Sequence, residues 1–322
     1  MKRYVVLISG ATATGKSGLA TQLAKKISGE IINADIGSFY SPLTIGTAKP
    51  DFMSETVPHH FFNILDKPEN FTVVQFRQRL KVLMQEIWAR GNVPVIVGGS
   101  AFYIKSFFYK QHDIPGTDVW VQELENSPAA SNELWAELQE VDPQRASQIN
   151  QADRYRIVRA LAIFKATGQK PSLFKETFEP LAPFYFVVCS RDRAELYKRI
   201  DERVLEMIDN GWRQEVEGLR GTEWEDFLHR KKLIGYDDLL KNNNDNVAND
   251  NVVNDDIVTT IQQKTRNYAK RQIIFLNKLQ TQLLQATSSG DLIGRVEEIN
   301  LTLYDVGLYI NGLSEQILKT FC

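Results

Sequence analysis

The stretch Gly10-Ala11-Thr12-Ala13-Thr14-Gly15-Lys16-Ser17 decides the reading of this chain. It fits the pattern G-x-x-x-x-G-K-[ST], a loop that cradles phosphates. The short apolar run Tyr4-Val-Val-Leu-Ile-Ser9 before it predicts a strand buried on both faces. After it, Leu19, Ala20, Leu23, Ala24 and Ile27 mark one face of a helix. Strand, glycine loop, helix is the order phosphate binding needs. Gly10 and Gly15 let backbone N–H groups converge on phosphate oxygens, and the helix N-terminus adds partial positive charge. Lys16 is placed to neutralise the terminal phosphate and Ser17 to hold Mg²⁺. The loop alone does not choose among kinases, ATPases and transferases that expel pyrophosphate.

Composition narrows the setting. With 322 residues, the chain can hold one large domain or two smaller ones. A hydrophobic share of 43% and a charged share of 24% are those of a soluble globular protein. Lys plus Arg is 38 against 40 for Asp plus Glu, so overall charge does not announce a nucleic-acid binder, and a basic face has to be sought locally. Cys189 and Cys322 have no metal-ligand spacing, and Cys189 closes an apolar run as a core residue would. A reduced, cytoplasmic setting is expected. Met1-Lys2-Arg3 leads straight into the first strand, so no cleavable signal is expected. No apolar stretch is long enough to span a bilayer, so no membrane partner is expected.

Further along, Glu30 to Ala34 reads as a second strand that delivers Asp35 to its C-terminal end, where open α/β sheets bind ligands. Thr72 is a plausible N-cap for a helix with Val73, Phe76, Leu80, Leu83, Met84 and Ile87 on one face. Val93 to Val97 is another buried strand, turned by Gly98-Gly99-Ser100 into a short buried helix, Ala101 to Tyr109. Residues 1–117 form the first part of the core. Residues 118–150 are polar and helical and read as an insertion. Residues 151–240 resume the core with helices at Asp153 to Ala166 and Ala194 to Asp209 around the strand Phe184 to Cys189. Residues 241–256, rich in Asn and Asp, read as a mobile surface loop. Residues 257–322 form a C-terminal helical segment with a strand-like run at Ile299 to Leu303. The fold expected is a P-loop NTPase-like α/β core, mostly parallel, with helices on both faces and a helical insertion.

Several constellations carry candidate chemistry. Asp35, at a strand end beside a phosphate site, suits a general base or a Mg²⁺ ligand; it equally suits a helix N-cap. Ser100 suits either a contact to phosphate or substrate amine, or a plain turn residue. Arg156 and Arg159 share a helix face, as do Arg199 and Arg203. Such pairs are commonly solvated ion-pair faces; the functional reading is recognition of a diphosphate or an RNA backbone. Arg266, Lys270 and Arg271 beside Tyr268, and Arg230-Lys231-Lys232, make two more basic groups. Adjacent His59 and His60 read as structural or substrate-lining rather than as metal ligands.

The ordered series resembles the tRNA dimethylallyltransferase (tRNA isopentenyltransferase) family. The resemblance runs from Val6 to about Leu279. It is carried by the Gly10 to Ser17 loop, Ile45-Gly-Thr-Ala-Lys-Pro50, Pro58-His-His60 and Val97-Gly-Gly-Ser100. Further on it is carried by Asp153-Arg-Tyr-Arg-Ile-Val-Arg-Ala-Leu161, Ile234-Gly-Tyr236 and Thr265-Arg-Asn-Tyr-Ala-Lys-Arg-Gln272. It implies transfer of a dimethylallyl group from dimethylallyl diphosphate to the exocyclic N6 amine of the adenine immediately 3′ of a tRNA anticodon. Mg²⁺ assists and pyrophosphate leaves. Asp35 matches the general base, Ser100 a Thr or Ser near adenine and diphosphate, and Arg203 an arginine that neutralises the diphosphate. By family position, Asp35, Ile36, Gly37 and Ser38 should touch the tRNA, with Ser100 and Gln122. So should Tyr155, Arg156, Ile157, Val158 and Arg159, and Lys232, Leu233, Ile234, Gly235, Tyr236 and Asp237. The insertion corresponds to a domain that clasps the anticodon stem. The adenine must be turned out of its stack to react.

The chain also departs from the family. Asp-Ser-x-Gln-x-Tyr is here Asp35-Ile-Gly-Ser-Phe-Tyr40, so Ile36 replaces a hydroxyl and Ser38 a longer hydrogen-bonding side chain. Gln122 stands where an arginine is common, and Ala11 where proline is usual. The reading is therefore a monomeric tRNA dimethylallyltransferase. The alternatives are a catalytically weak or inactive tRNA-binding paralogue, a P-loop kinase for a nucleoside or small metabolite, and a prenyltransferase of free adenine nucleotides.

Overall fold

A computed structural model describes residues 3–110, 112, 114–242, 255–287, 294–304 and 306–321. Residues 243–254 of the expected Asn/Asp-rich loop, and Cys322, lie outside the described residues. Strand β1 (Val5–Gly10) leads through the Gly10–Ser17 loop into α1 (Lys16–Ile27) and β2 (Gly29–Asn33). There follow β3 (His59–His60), α2 (Val73–Ala89), β4 (Val93–Gly98) and α3 (Ala101–Phe108). Next come β5 (Tyr109–Lys110), α4 (Thr117–Asn126), α5 (Ser131–Val141), α6 (Pro143–Ala146), α7 (Arg154–Thr167) and β6 (Thr177–Phe178). The chain continues as β7 (Phe184–Ser190), α8 (Arg193–Asp209), α9 (Trp212–Glu217), α10 (Glu223–Lys231) and α11 (Tyr236–Leu240). It ends with α12 (Asp255–Thr287), β8 (Gly294–Asn300) and α13 (Val306–Phe321).

These elements divide into two compact units: residues 1–108 with 180–322, and residues 109–179. The first unit holds a six-stranded sheet, β3-β2-β4-β1-β7-β8, in which every described pair is parallel. Its central strands are continuous apolar runs because both faces are covered. Val5 to Gly10 and Val93 to Gly98 are buried throughout. Side chains alternate across the pleat. Ile8, Val97, Tyr185 and Val187 meet Leu19, Leu23 and Ile27 of α1 and Leu313 and Ile317 of α13 in one cluster. From the next register positions, Phe184 and Phe186 meet Phe107 and Phe108 of α3. The N-cap expected at Thr72 is present, within a capping box in which Gln75 N–H donates to Thr72 Oγ1. Strands β2, β4 and β3 lie on one side of β1 and β7 and β8 on the other, so the order reverses at β1 and opens a crevice at the strand C-termini.

Two boundaries differ from the sequence reading. The strand read at Ile299 to Leu303 is β8, Gly294–Asn300, and Leu301 to Leu303 turn away after it. This strand is the sheet edge and carries Arg295, Glu297 and Glu298, which blurs an apolar pattern and discourages edge pairing. The second unit is also wider than 118–150. It includes α7, because Ile157, Val158 and Leu161 share a core with Leu124, Leu134, Leu138 and Ile149. The Arg154 guanidinium closes that core from the chain side, donating to the carbonyls of Leu124 and Ser127 at 2.9 Å each. These are among the carbonyls that a helix C-terminus leaves without an intrahelical partner.

Candidate active site

The C-terminal ends of β1, β2 and β4 converge on a cleft of about 790 Å³ within the first unit. The Gly10–Ser17 loop forms one wall, with left-handed backbone at Ala13 (φ 62°) and Gly15 (φ 96°). Such a loop turns its carbonyls outward, and they need donors. Arg199 Nε donates to Ala13 O at 2.9 Å and Arg191 Nε to Thr14 O at 2.8 Å. Ala11 and Ala13 are buried against Leu196 and Ile200 of α8 and Ala269 of α12, so an alanine at position 11 serves as packing. Helix α1 has no acidic residue in its first turn, and the amides of its first residues have no helical partner. They open beside Gly15, Lys16 and Ser17 in the cleft wall, an anion site by construction.

Asp35 is fixed from several sides. Its backbone N–H donates to Asn33 Oδ1 at 2.9 Å, and Asn33 Nδ2 donates back to Asp35 O at 3.1 Å. Asp35 occupies the N-cap position of the one-turn helix Ile36–Phe39, but its side chain does not cap it. Instead Oδ1 accepts the Gly99 N–H at 2.6 Å and lies 3.4 Å from Ser100 Oγ. Ser100 Oγ accepts the Ile36 N–H at 3.1 Å, so Asp35 and Ser100, whose carbonyls also begin the turns that follow them, are linked across two strand ends. Lys16 Nζ stands 3.8 Å from Asp35 Oδ2. The Arg203 guanidinium also lines the cleft, 3.4 Å from Thr12 Oγ1. Burial pulls the Arg203 pKa down and the charge of Asp35 opposes that pull.

The far wall is built from the two Ile-Gly motifs. Glu215 accepts N–H groups from Thr44 at 2.9 Å and Ile45 at 2.7 Å and the hydroxyl of Tyr236 at 2.5 Å. Trp212 lies between Gly46 and Gly235: a Cβ on either would stand 1.9 Å from its ring atoms. Lys49 Nζ donates to Tyr40 O at 2.8 Å, and burial lowers its pKa to about 8. His60 Nε2 meets Glu30 Oε2 at 2.6 Å, a structural contact, while His59 lines the cleft.

The cleft gathers Lys16, Ser17, Asp35, Ile36, Gly37, Ser38, Ser100, Arg203, Lys232, Leu233 and Ile234 of the expected site residues. It also takes Arg199 and Arg271 from the basic groups, whereas Arg266 is paired with Asp201. Four of the expected contact residues are instead buried. Ile157 and Val158 are 0% and 1% exposed, because five consecutive helical residues cannot share one face. Tyr236 is fully buried on Glu215. Asp237 is 5% exposed and engaged by His229 and Lys241, so both serve the wall rather than its surface. On the second unit Gln122, Tyr155, Arg156 and Arg159 are exposed. Sequence reading did not assign roles to Asn33, Arg191, Tyr268 or Gln272. The signal for Gln272 is a polar residue on the buried stripe of α12, between Ala269 and Leu276. The Tyr268 hydroxyl faces Ser100, Gln272 and Asp35, and burial pushes its pKa up to about 12.

The described residues contain no group of three His, Cys, Asp or Glu able to hold a metal. The Ser17 hydroxyl and Asp35 carboxylate are hard oxygen donors, the set that suits an ion completed by water and substrate oxygens. No described helix is long and apolar enough to cross a membrane. A parallel α/β sheet with Lys16, Arg203 and Asp35 gathered in a cleft at its strand ends is the class of α/β protein that binds ligands in such a crevice. The chain belongs to the IPP transferase family, whose model matches residues 38–279.

Relatives agree along most of the length. A tRNA dimethylallyltransferase of Anoxybacillus flavithermus is 33% identical over 93% of this chain and 96% of its own. One of Geobacter sulfurreducens is 36% identical over 86% and 90%. Among solved structures, the tRNA isopentenylpyrophosphate transferase of Bacillus halodurans superposes with a TM-score of 0.63 at 26% identity, covering 99% of this chain and 97% of that one. A eukaryotic dimethylallyltransferase acting on tRNA gives 0.74 at 25% identity, over 98% and 78%.

Proposed function

We propose that this chain transfers a dimethylallyl group from dimethylallyl diphosphate to the N6 amine of the adenine 3′-adjacent to a tRNA anticodon, releasing pyrophosphate. One observation carries the reading beyond family membership. The Gly10–Ser17 loop, Lys16 and Arg203 share a single cleft with the Asp35 carboxylate at the end of β2, and Glu202 and Glu206 line the same cleft from α8. The cations suit a diphosphate leaving group, and the Asp35 carboxylate suits an amine that must lose a proton.

In this reading the amides that begin α1 and the charges of Lys16 and Arg203 hold the diphosphate. As the C–O bond to the diphosphate breaks, negative charge grows on the leaving oxygen where those groups already point. The adenine amine attacks the allylic carbon, becomes positive, and gives its proton to Asp35. Ser17 would hold Mg²⁺ with the diphosphate oxygens, which supplies further charge neutralisation on the leaving group. The departures at Ile36 and Ser38 leave the proposed base in place, because Asp35 is positioned by the Gly99 N–H, by Asn33 and by Ser100, whose hydroxyl accepts the Ile36 N–H. This favours a working enzyme over an inactive paralogue. Exposed Gln122, Tyr155, Arg156 and Arg159 on the second unit, and Lys232 at the cleft, are proposed to meet the RNA. A monomer in the cytoplasm fits this role.

The test is incubation with dimethylallyl diphosphate, Mg²⁺ and an anticodon stem-loop with adenine at that position. Nucleoside mass spectrometry should show N6-dimethylallyladenosine. ATP consumption without prenylated RNA would point instead to a kinase.

A further inference from the structure

Gln272 lies in the thirty-three-residue helix α12, on a stripe otherwise made of Val258, Ile261, Ala269, Leu276, Leu279 and Leu283. It is 4% exposed. A glutamine there loses side-chain freedom and hydration, which both ends of its amide must recover through hydrogen bonds. They do. Oε1 accepts the Thr12 N–H at 2.9 Å, and Nε2 donates to Gly99 O at 2.8 Å. The opposite side of the same Gly99 residue donates its N–H to Asp35 Oδ1 at 2.6 Å. An unbroken series therefore runs from the phosphate-facing loop, through one amide side chain, to the carboxylate proposed as base. A Cβ at position 99 would lie 2.6 Å from Gln272 Nε2 and 3.2 Å from Lys16 Nζ, so loop, lysine and glutamine meet at one point.

We infer that Gln272 is a positioning residue for the transfer: its amide fixes the spacing between the diphosphate-holding loop at Thr12 and the Gly99 turn that aims Asp35. This rests on the reading of the cleft given above. The amide is suited to the task because it is planar, offers one acceptor and two donors, and carries no charge to compete with the diphosphate. The Thr12 amide, taken by Gln272, is thereby withheld from the substrate. The anion is left to the amides that begin α1 and to Lys16. Losing the bridge should let two loops drift by a fraction of an ångström, enough to cost a well-oriented reaction ~10- to 100-fold in rate.

The experiment compares wild type with Gln272→Met and Gln272→Glu. Met keeps the bulk and makes neither bond. Glu keeps an acceptor for the Thr12 N–H but meets the Gly99 carbonyl with a second oxygen. Measured are kcat and KM for dimethylallyl diphosphate, calorimetric binding of pyrophosphate, and the unfolding midpoint. The inference expects kcat to fall ~10- to 100-fold in both variants. Pyrophosphate binding should weaken in both variants, and more in Glu, whose carboxylate competes with the anion for Lys16, with the fraction of folded protein unchanged. If Met does not fold, Glu alone must show the kcat loss at saturating dimethylallyl diphosphate. Wild-type kinetics in either folded variant would overturn the inference, as would losses that match only the unfolded fraction. If wild type itself transfers nothing, the proposed function fails and not this inference alone.

Discussion

Lys16 Nζ stands 3.8 Å from Asp35 Oδ2, while Oδ1 of the same carboxylate is held at 2.6 Å by the Gly99 N–H. One oxygen is committed to position and the other faces a cation. In the proposed reaction a diphosphate gives Lys16 a stronger anion to meet and releases Oδ2 to receive a proton. Asp35→Asn keeps the shape and removes the base. Transfer should fall ~10²- to 10⁴-fold. Calorimetric pyrophosphate binding should survive, whereas Lys16→Ala should weaken it.

Arg203 is pressed toward the Gly10–Ser17 loop rather than salt-bridged on the surface. In the proposed reaction its charge meets the leaving group, with Asp35 and Glu206 as the neighbouring carboxylates. Arg203→Gln should lower kcat/KM for the donor by ~10²-fold or more, and Arg203→Lys should recover only part, since a single ammonium lacks the guanidinium fork. Steady-state kinetics at varied dimethylallyl diphosphate decides this.

Glu30 belongs to β2 and has a 2% exposed side chain. Burial alone would raise its pKa. Hydrogen bonds from Arg90, Asn92 and His60 overcome that and hold it at about 2, against an ordinary 4.5. A depressed carboxyl pKa stabilises the fold above the unfolded value and loses that contribution as pH falls through the window from 4.5 to 2. About 3 kcal/mol is at stake. Urea unfolding of Glu30→Gln should show lower stability than wild type at neutral pH, with the difference shrinking towards pH 2.

Trp212 leaves no room at Gly235, where φ is +83° and a Cβ would stand 1.9 Å from the ring. Gly235→Ala should cost about 2–3 kcal/mol, combining backbone strain with overpacking. Its urea midpoint should drop with an unchanged slope. Trp212→Leu in the same background should recover part of the loss, because the clash is with that ring.

The parts of this molecule visible in the sequence are those that repeat a local physical rule. The Gly10–Ser17 loop sits between a wholly apolar strand and a helix with a 3.6-residue stripe, and Thr72 precedes a glutamine at capping-box spacing. Asp35, Ser100 and Arg203 were legible as candidates because a strand end or a basic helix face is where such residues act. Gln272 and Asn33 were not, since their meaning lies in partners 260 and 28 residues away that only the fold brings into line. Ile157 and Val158 were read with their neighbours as one contact strip, but helical geometry turns them into the core of the second unit. The strand β8 was displaced because its edge position lets charged residues occupy it.

The most direct measurement is a single-turnover assay with labelled dimethylallyl diphosphate, Mg²⁺ and total tRNA, run for wild type and Asp35→Asn. Label entering tRNA with wild type, and slowed at least ~100-fold in the variant, is the result predicted. Equal labelling by both proteins would contradict Asp35 as the base, and no labelling by either, with tRNA still bound, would contradict the transfer itself.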